Sequence, residues 1–173
     1  DEAPPPPAAF VLESQLVPVG PASYYGLDVD IDGDTAVVGA YYTSVSGVGG
    51  AGAAHVFRRV GSTWAHEQML FDASSPGIND WFGWNVAISG DTIAVGEMKD
   101  DTSLGVDTGS VRVFRRSGTT WTEEAMLAPP SVAGAFFGCG VDIDGDRIVT
   151  GFYGGPDRGG PGLVHVFTRT GTV

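Results

Sequence analysis

The sequence predicts an all-β fold, a β-propeller of four-stranded antiparallel blades with about three blades per chain. Three observations carry this expectation. One segment recurs three times without gaps, as YGLDVDIDGDTAVVGA from Tyr25, FGWNVAISGDTIAVGE from Phe82 and FGCGVDIDGDRIVTGF from Phe137. The copies follow one another at intervals of about 55 residues, the length of one small supersecondary unit. Within each unit, short runs rich in β-branched and aromatic residues alternate with period two, and no stretch sustains the apolar spacing of a helix.

The second unit shows the elements in order. Strands are expected at Trp84–Ser89, Thr92–Gly96, Ser110–Arg115 and Trp121–Leu127, joined by the turn at Gly90-Asp91, a long loop, and Ser117-Gly118-Thr119. The glycine after the leading aromatic is followed by a second glycine at one fixed interval in every copy, as Gly26 and Gly39, Gly83 and Gly96, Gly138 and Gly151. Third strands read AAHVFRR, SVRVFRR and LVHVFTR, ending at Arg59, Arg116 and Arg169. Trp64 and Trp121 recur in the outer strand, which implies a packing role. The Arg58-Arg59 and Arg115-Arg116 pairs, with Glu67, Glu123 and Glu124 on adjoining strands, are expected to form cross-strand charge pairs. His55 and His165 occupy matching positions, but Arg112 fills the third, which argues against a histidine metal pair.

The resulting plan places a Pro-rich tail at residues 1–9 and blades over 10–173, with blade one at 25–70, blade two at 82–127 and an incomplete blade three at 137–173. Residues 10–16, Phe10 to Leu16, resemble Trp64 to Leu70 and precede the first unit as an outer strand should. Closed propellers use roughly four to eight blades. Self-association is therefore expected, with residues 10–16, chiefly Phe10, Leu12 and Leu16, donated to the last blade of another copy. A six-bladed homodimer is the favoured closure and a filament the alternative.

Composition narrows the partners. Twenty-one acidic residues against nine basic ones leave a formal net charge of −12 over 173 residues, which repels phosphate backbones and argues against nucleic acid. No apolar run approaches the roughly 20 residues of a membrane span. Cys139 is the single cysteine, so no intrachain disulfide and no cysteine-clustered zinc site can form.

The residues Phe82-Gly83, Val86, Ile88, Gly90-Asp91, Val95-Gly96, Gly109-Ser110 and Val113-Phe114 resemble the FG-GAP repeat signature, the blade type of integrin α-subunit heads and of many secreted bacterial proteins. The resemblance extends from Tyr25 to Thr172 and looks closest to the bacterial form. It implies a secreted or cell-surface propeller used in adhesion or ligand recognition. It also implies calcium on a DxDxDG loop, for which the candidates are Asp30, Asp32 and Asp34 in the first unit and Asp142, Asp144 and Asp146 in the third. The match is partial. Glycine precedes the third aspartate in both units, Val38 or Thr150 stands in place of the terminal aspartate, and the second unit has Ala87-Ile88-Ser89 instead. A solvated acidic channel with a Gly-Asp hairpin turn is the competing reading of these positions.

Loops between strands two and three are long and differ between copies, which is where a rigid scaffold carries recognition. Tyr41, Tyr42, Trp81, Asp100, Asp101, Asp107 and Arg158 are the candidates on that face, for a protein or glycan ligand. The bland alternative is that Tyr41 and Trp81 pack between blades and the acids are merely hydrated. The function expected is non-enzymatic partner binding with self-assembly. The alternatives are a glycan hydrolase using channel carboxylates such as Asp30 and Asp142, and a calcium-dependent adhesion module.

Overall fold

In the computed structural model, which describes residues 9–129, 136–152 and 161–170, eleven strands form three antiparallel sheets and no helix occurs among these residues. Blade one comprises β1 (Tyr25–Asp32), β2 (Thr35–Ala40), β3 (Ala53–Val60) and β4 (Thr63–Leu70) in sequential order. Blade two comprises β5 (Phe82–Ser89), β6 (Thr92–Glu97), β7 (Ser110–Ser117) and β8 (Thr120–Leu127). Blade three comprises β9 (Gly140–Asp144), β10 (Arg147–Phe152) and β11 (Leu163–Thr168), with β11 at its outer edge among the described residues. This is the propeller-blade architecture that the repeats predict. The strands of blade two run slightly beyond the expected bounds. β5 begins at Phe82 because a bulge between Phe82 and Asn85 lets the aromatic-Gly pair enter the ladder.

Alternation assigns each blade two apolar faces, and the core lies in the seams between blades. Val37, Ala54 and Val56 of blade one meet Val86, Ile88, Ile93, Val95, Phe114 and Trp121 of blade two. Ala94, Val111 and Val113 of blade two meet Phe137, Ile143 and Ile148 in the next seam. On the leading face of blade one, Ala36, Val38 and Phe57 are covered by Leu16, Tyr25 and Trp64. No helix of the described residues is long and apolar enough to cross a membrane.

The glycine interval has a steric cause. Gly39 lies under the carbonyl of Gly83, and Gly96 under that of Gly138, so closely that a Cβ at either would collide with backbone. The second glycine of each blade thus receives the first glycine of the next.

Side chains complete the joints. The arginine ending the third strand pairs with the glutamate of the preceding outer strand, as Arg116 with Glu67 at 3.1 Å and Arg169 with Glu124 at 2.8 Å. These pairs cross between blades, which corrects the expectation of pairing with the adjoining strand of the same blade, because the glutamate of the preceding outer strand lies within reach across the seam. Arg112 and Glu123 do pair within blade two, at 3.2 Å. Residues 10–16 are not in a strand here, but they occupy the place of a preceding outer strand. Glu13 accepts from Arg59 and from Trp64 Nε1, both at 3.3 Å, as Glu67 accepts from Arg116 and from Trp121 Nε1. Leu16 packs on blade one, while Phe10 and Leu12 remain exposed.

Candidate functional site

The loop after β2, the connector after β4 and the segment entering β1 converge on one face. Tyr24, Tyr41, Tyr42, Trp81 and Trp84 form a continuous aromatic cluster there. Tyr41 lies 5.2 Å from Tyr24, 5.5 Å from Trp81 and 4.9 Å from Trp84, and Trp81 stacks on Trp84 at 5.3 Å. Tyr42 meets Tyr24 edge-on at 5.6 Å. Tyr24 and Tyr42 are exposed, and the other three are half-buried. The ammonium of Lys99 sits 4.2 Å above the Trp81 ring, a cation–π contact. Tyr24 and Trp81 hold left-handed backbone with φ of 54° and 62°, and Phe136 at the matching position of blade three has φ 50°. A bulky residue adopts that conformation only under constraint from its surroundings. All three stand immediately before the aromatic-Gly pair of their blade.

A buried ionic network fixes this face. Arg112, buried in β7, reaches Asp72 at 2.6 Å, Glu97 at 3.1 Å, Asp100 at 3.6 Å and Ser74 Oγ at 3.1 Å, besides Glu123. Asp72 also accepts from the amides of Ser74 and Ser75. The network anchors the connector that carries Trp81 and the loop that carries Lys99. Burial, reinforced by the charge of Asp100, pushes the Glu97 carboxyl up to about 9, and burial pushes Asp80 up to about 6. Glu97 Oε2 accepts from Arg112, and its Oε1 has no partner among the described residues. In blade one the positions of Arg112 and Glu123 are taken by His55 and His66, whose ring nitrogens lie 3.1 Å apart. Burial, then the neighbouring His66, lowers His55 to about 4.

The expected face residues divide. Tyr41, Tyr42 and Trp81 are brought together. Asp100 is not a surface ligand group, because it is buried against Arg112. Asp101 accepts from the amide of Asp107 at 2.8 Å and shapes its own loop. Arg158 lies outside the described residues. Tyr24 and Trp84 escaped the sequence reading. For Tyr24 the signal was the aromatic before the aromatic-Gly pair, which it shares with Trp81 and Phe136; Trp84 has no aromatic counterpart, Leu27 and Cys139 standing at its position in the other copies.

Five of the six candidate calcium aspartates, all but Asp144, have other partners. Among the described residues, no group of three or more histidine, cysteine, aspartate or glutamate side chains is arranged to hold a metal ion. Asp28, Asp30 and Asp32 project together from β1, as alternation requires. They accept the amides of Val86 at 2.8 Å, Ile88 at 2.8 Å and Gly90 at 2.6 Å on the free edge of β5. Ser89 accepts from Gly145 in the same way at 3.1 Å. The carboxylates are therefore spacers between inner strands, where a purely hydrated acidic row was the competing expectation. Asp34 and Asp146 pair with Arg59 and Arg169 at 2.8 Å and 3.2 Å, and Asp142 accepts the amide of Ile143. Asp144 stands exposed on β9.

No curated protein matches the chain at a significant level. The FG-GAP repeat model matches residues 16–57, 64–114 and 121–167. Each matched segment begins at an outer-strand position and ends in the third strand of the following blade, the offset seen for Leu16, β4 and β8. With most of its length accounted for by three consecutive copies, the chain belongs to the FG-GAP repeat family.

Proposed function

We propose that this chain is a non-enzymatic module of the cell surface or extracellular space that binds a glycan or protein partner on its long-loop face and associates with itself by strand complementation. The observation that carries the binding reading is the aromatic cluster, with Tyr24 and Tyr42 open to solvent on a base of Tyr41, Trp81 and Trp84. Exposed aromatic faces stack on the C–H faces of sugars and on apolar side chains, and the rigid base lowers the entropy lost on binding. The repeats support a surface or extracellular setting, since the family's propellers commonly act there.

The non-enzymatic reading draws support from the carboxyls. Of the two carboxyls pushed furthest toward the neutral form, Glu97 serves the Arg112 network and Asp80 accepts the amide of Gly77, while Asp30 is engaged as an acceptor between inner strands. A calcium-dependent adhesion reading has no comparable support from geometry.

A printed glycan array tests the binding reading. The intact chain is expected to retain a defined set of glycans, and Tyr24→Ala with Tyr42→Ala to weaken retention about tenfold or more without lowering the melting temperature. Retention unchanged in that double variant would place binding elsewhere on the molecule.

A further inference from the structure

Lys99 is the one lysine of the chain, and it stands at the repeat position that Tyr42 fills in blade one. Each of the two side chains lies against the aromatic that precedes the aromatic-Gly pair of its own blade. Tyr42 meets Tyr24 at 5.6 Å, and the Lys99 ammonium lies 4.2 Å above the Trp81 ring. A tyrosine thus meets the packing need of this position, and the ammonium of blade two adds a charge that packing does not require. Backbone fixes its place, since the Lys99 amide donates to the carbonyl of Asp80, next to Trp81, at 3.0 Å.

This charge has no carboxylate partner among the described residues. Arg59, Arg112, Arg116 and Arg169 each form an ion pair with at least one acid, whereas no such pair reaches Lys99. The carboxylates nearest to it in the loop and connector are turned to other donors. Asp80 accepts the amide of Gly77 at 2.6 Å, Asp100 faces Arg112 at 3.6 Å, and Asp101 accepts the amide of Asp107 at 2.8 Å. A second donor on the same indole is also unfilled. Trp81 Nε1 is buried with no acceptor among the described residues, whereas Nε1 of Trp64 and of Trp121 donates to Glu13 and Glu67. Ammonium and indole N–H are donor-only groups, so what they lack is an acceptor, and an anion is the strongest one.

We infer that the ligand of this face is an oligosaccharide bearing an anionic group, a carboxylate or a sulfate, received by Lys99 and Trp81 Nε1 while a sugar ring stacks on Tyr42. The inference rests on the aromatic-face reading of the proposed function and names its ligand class. Tyr41 joins the two contacts, lying 6.2 Å from Tyr42 and 5.5 Å from Trp81. The formal net charge of −12 repels extended polyanions, whereas the pull of one ammonium is felt within a Debye length of about 8 Å. One acidic residue in an otherwise neutral glycan therefore fits this face, and a densely charged polymer does not.

Lactose, sialyllactose, sulfated lactose and a glucuronate-terminated disaccharide, presented on one array beside an acidic peptide, are the probes. The acidic sugars are expected to be retained about tenfold or more above lactose. That ratio falls to about one in Lys99→Met, whose apolar stem still covers Trp81, and survives in Lys99→Arg, with melting by circular dichroism as the check on folding. Retention of the carboxylate sugars without the sulfate assigns the carboxylate, and the reverse assigns the sulfate. In a nitrogen–proton correlation spectrum, the Trp81 indole resonance, identified by its loss in Trp81→Phe, shifts when the retained acidic sugar is added, while those of Trp64 and Trp121 stay in place. Equal retention of lactose and the acidic sugars, falling in Tyr42→Ala, overturns this inference and leaves the aromatic-face reading standing. An acidic preference that persists in Lys99→Met overturns it as well. Retention unchanged in both Tyr42→Ala and Lys99→Met overturns the aromatic-face reading itself. Retention of the acidic peptide alone, or of no probe, overturns the saccharide assignment.

Discussion

Gly96→Ala is expected to lower the melting temperature by about 5–10 °C, followed by circular dichroism. The added Cβ falls on the carbonyl of Gly138, which is backbone and cannot swing aside. Blades two and three must move apart, opening the seam around Val111, Phe137 and Ile148. Overpacking a close joint costs about 1–3 kcal/mol, and loss of seam burial adds to it. Gly151→Ala is the internal control, since its surroundings in the single chain have room. Equal melting temperatures for Gly96→Ala and the wild type would show that the glycine interval does not set blade spacing.

Arg112→Ala is expected to destabilise the fold by about 3–5 kcal/mol, because it strips the shared cation from buried carboxyls. Asp72, Glu97 and Asp100 are all buried around it. The pH dependence has a definite sign. Burial holds Glu97 and Asp100 above their ordinary range, so the folded state carries more protons than the unfolded chain, and removing Arg112 extends that difference. Stability of the variant therefore rises as the pH falls from 8 to 5, and its deficit against the wild type narrows. Denaturant melts at the two pH values check this, and a deficit below about 1 kcal/mol at pH 8 would mean that water replaces the guanidinium. Because the network anchors the loops bearing Trp81 and Lys99, the variant also bears on the aromatic face.

The strands were legible because alternation, Gly-Asp turns and three concordant copies point the same way. Residues 10–16, whose likeness to Trp64–Leu70 suggested an outer strand, form no strand in this chain, but Glu13 and Leu16 make contacts like those of Glu67 and Leu70. What escaped the sequence was what stands opposite each side chain. Alternation placed Asp28, Asp30 and Asp32 on one face, but it carries no information about the next inner strand, whose amides they accept. The glycine interval was visible, whereas its cause, a contact between glycines in different blades, is nonlocal. Asp100 read as a loop acid for the same reason, since its partner Arg112 looked like an ordinary alternation position on strand three. Tyr24 was overlooked because it lies outside the strands, although it repeats the aromatic of Trp81.

The proposed self-association by strand complementation, with residues 10–16 of one copy beside β11 of another, is tested most directly by cysteine cross-linking between copies. Ser14→Cys with Val166→Cys, in a Cys139→Ser background, places the thiols on facing positions of neighbouring strands if the register of the internal blades is repeated. A disulfide-linked two-chain species under mild oxidation, absent when Gln15→Cys replaces Ser14→Cys, is the expected result. No cross-linked pair from the facing positions, or equal cross-linking from both, would contradict strand complementation.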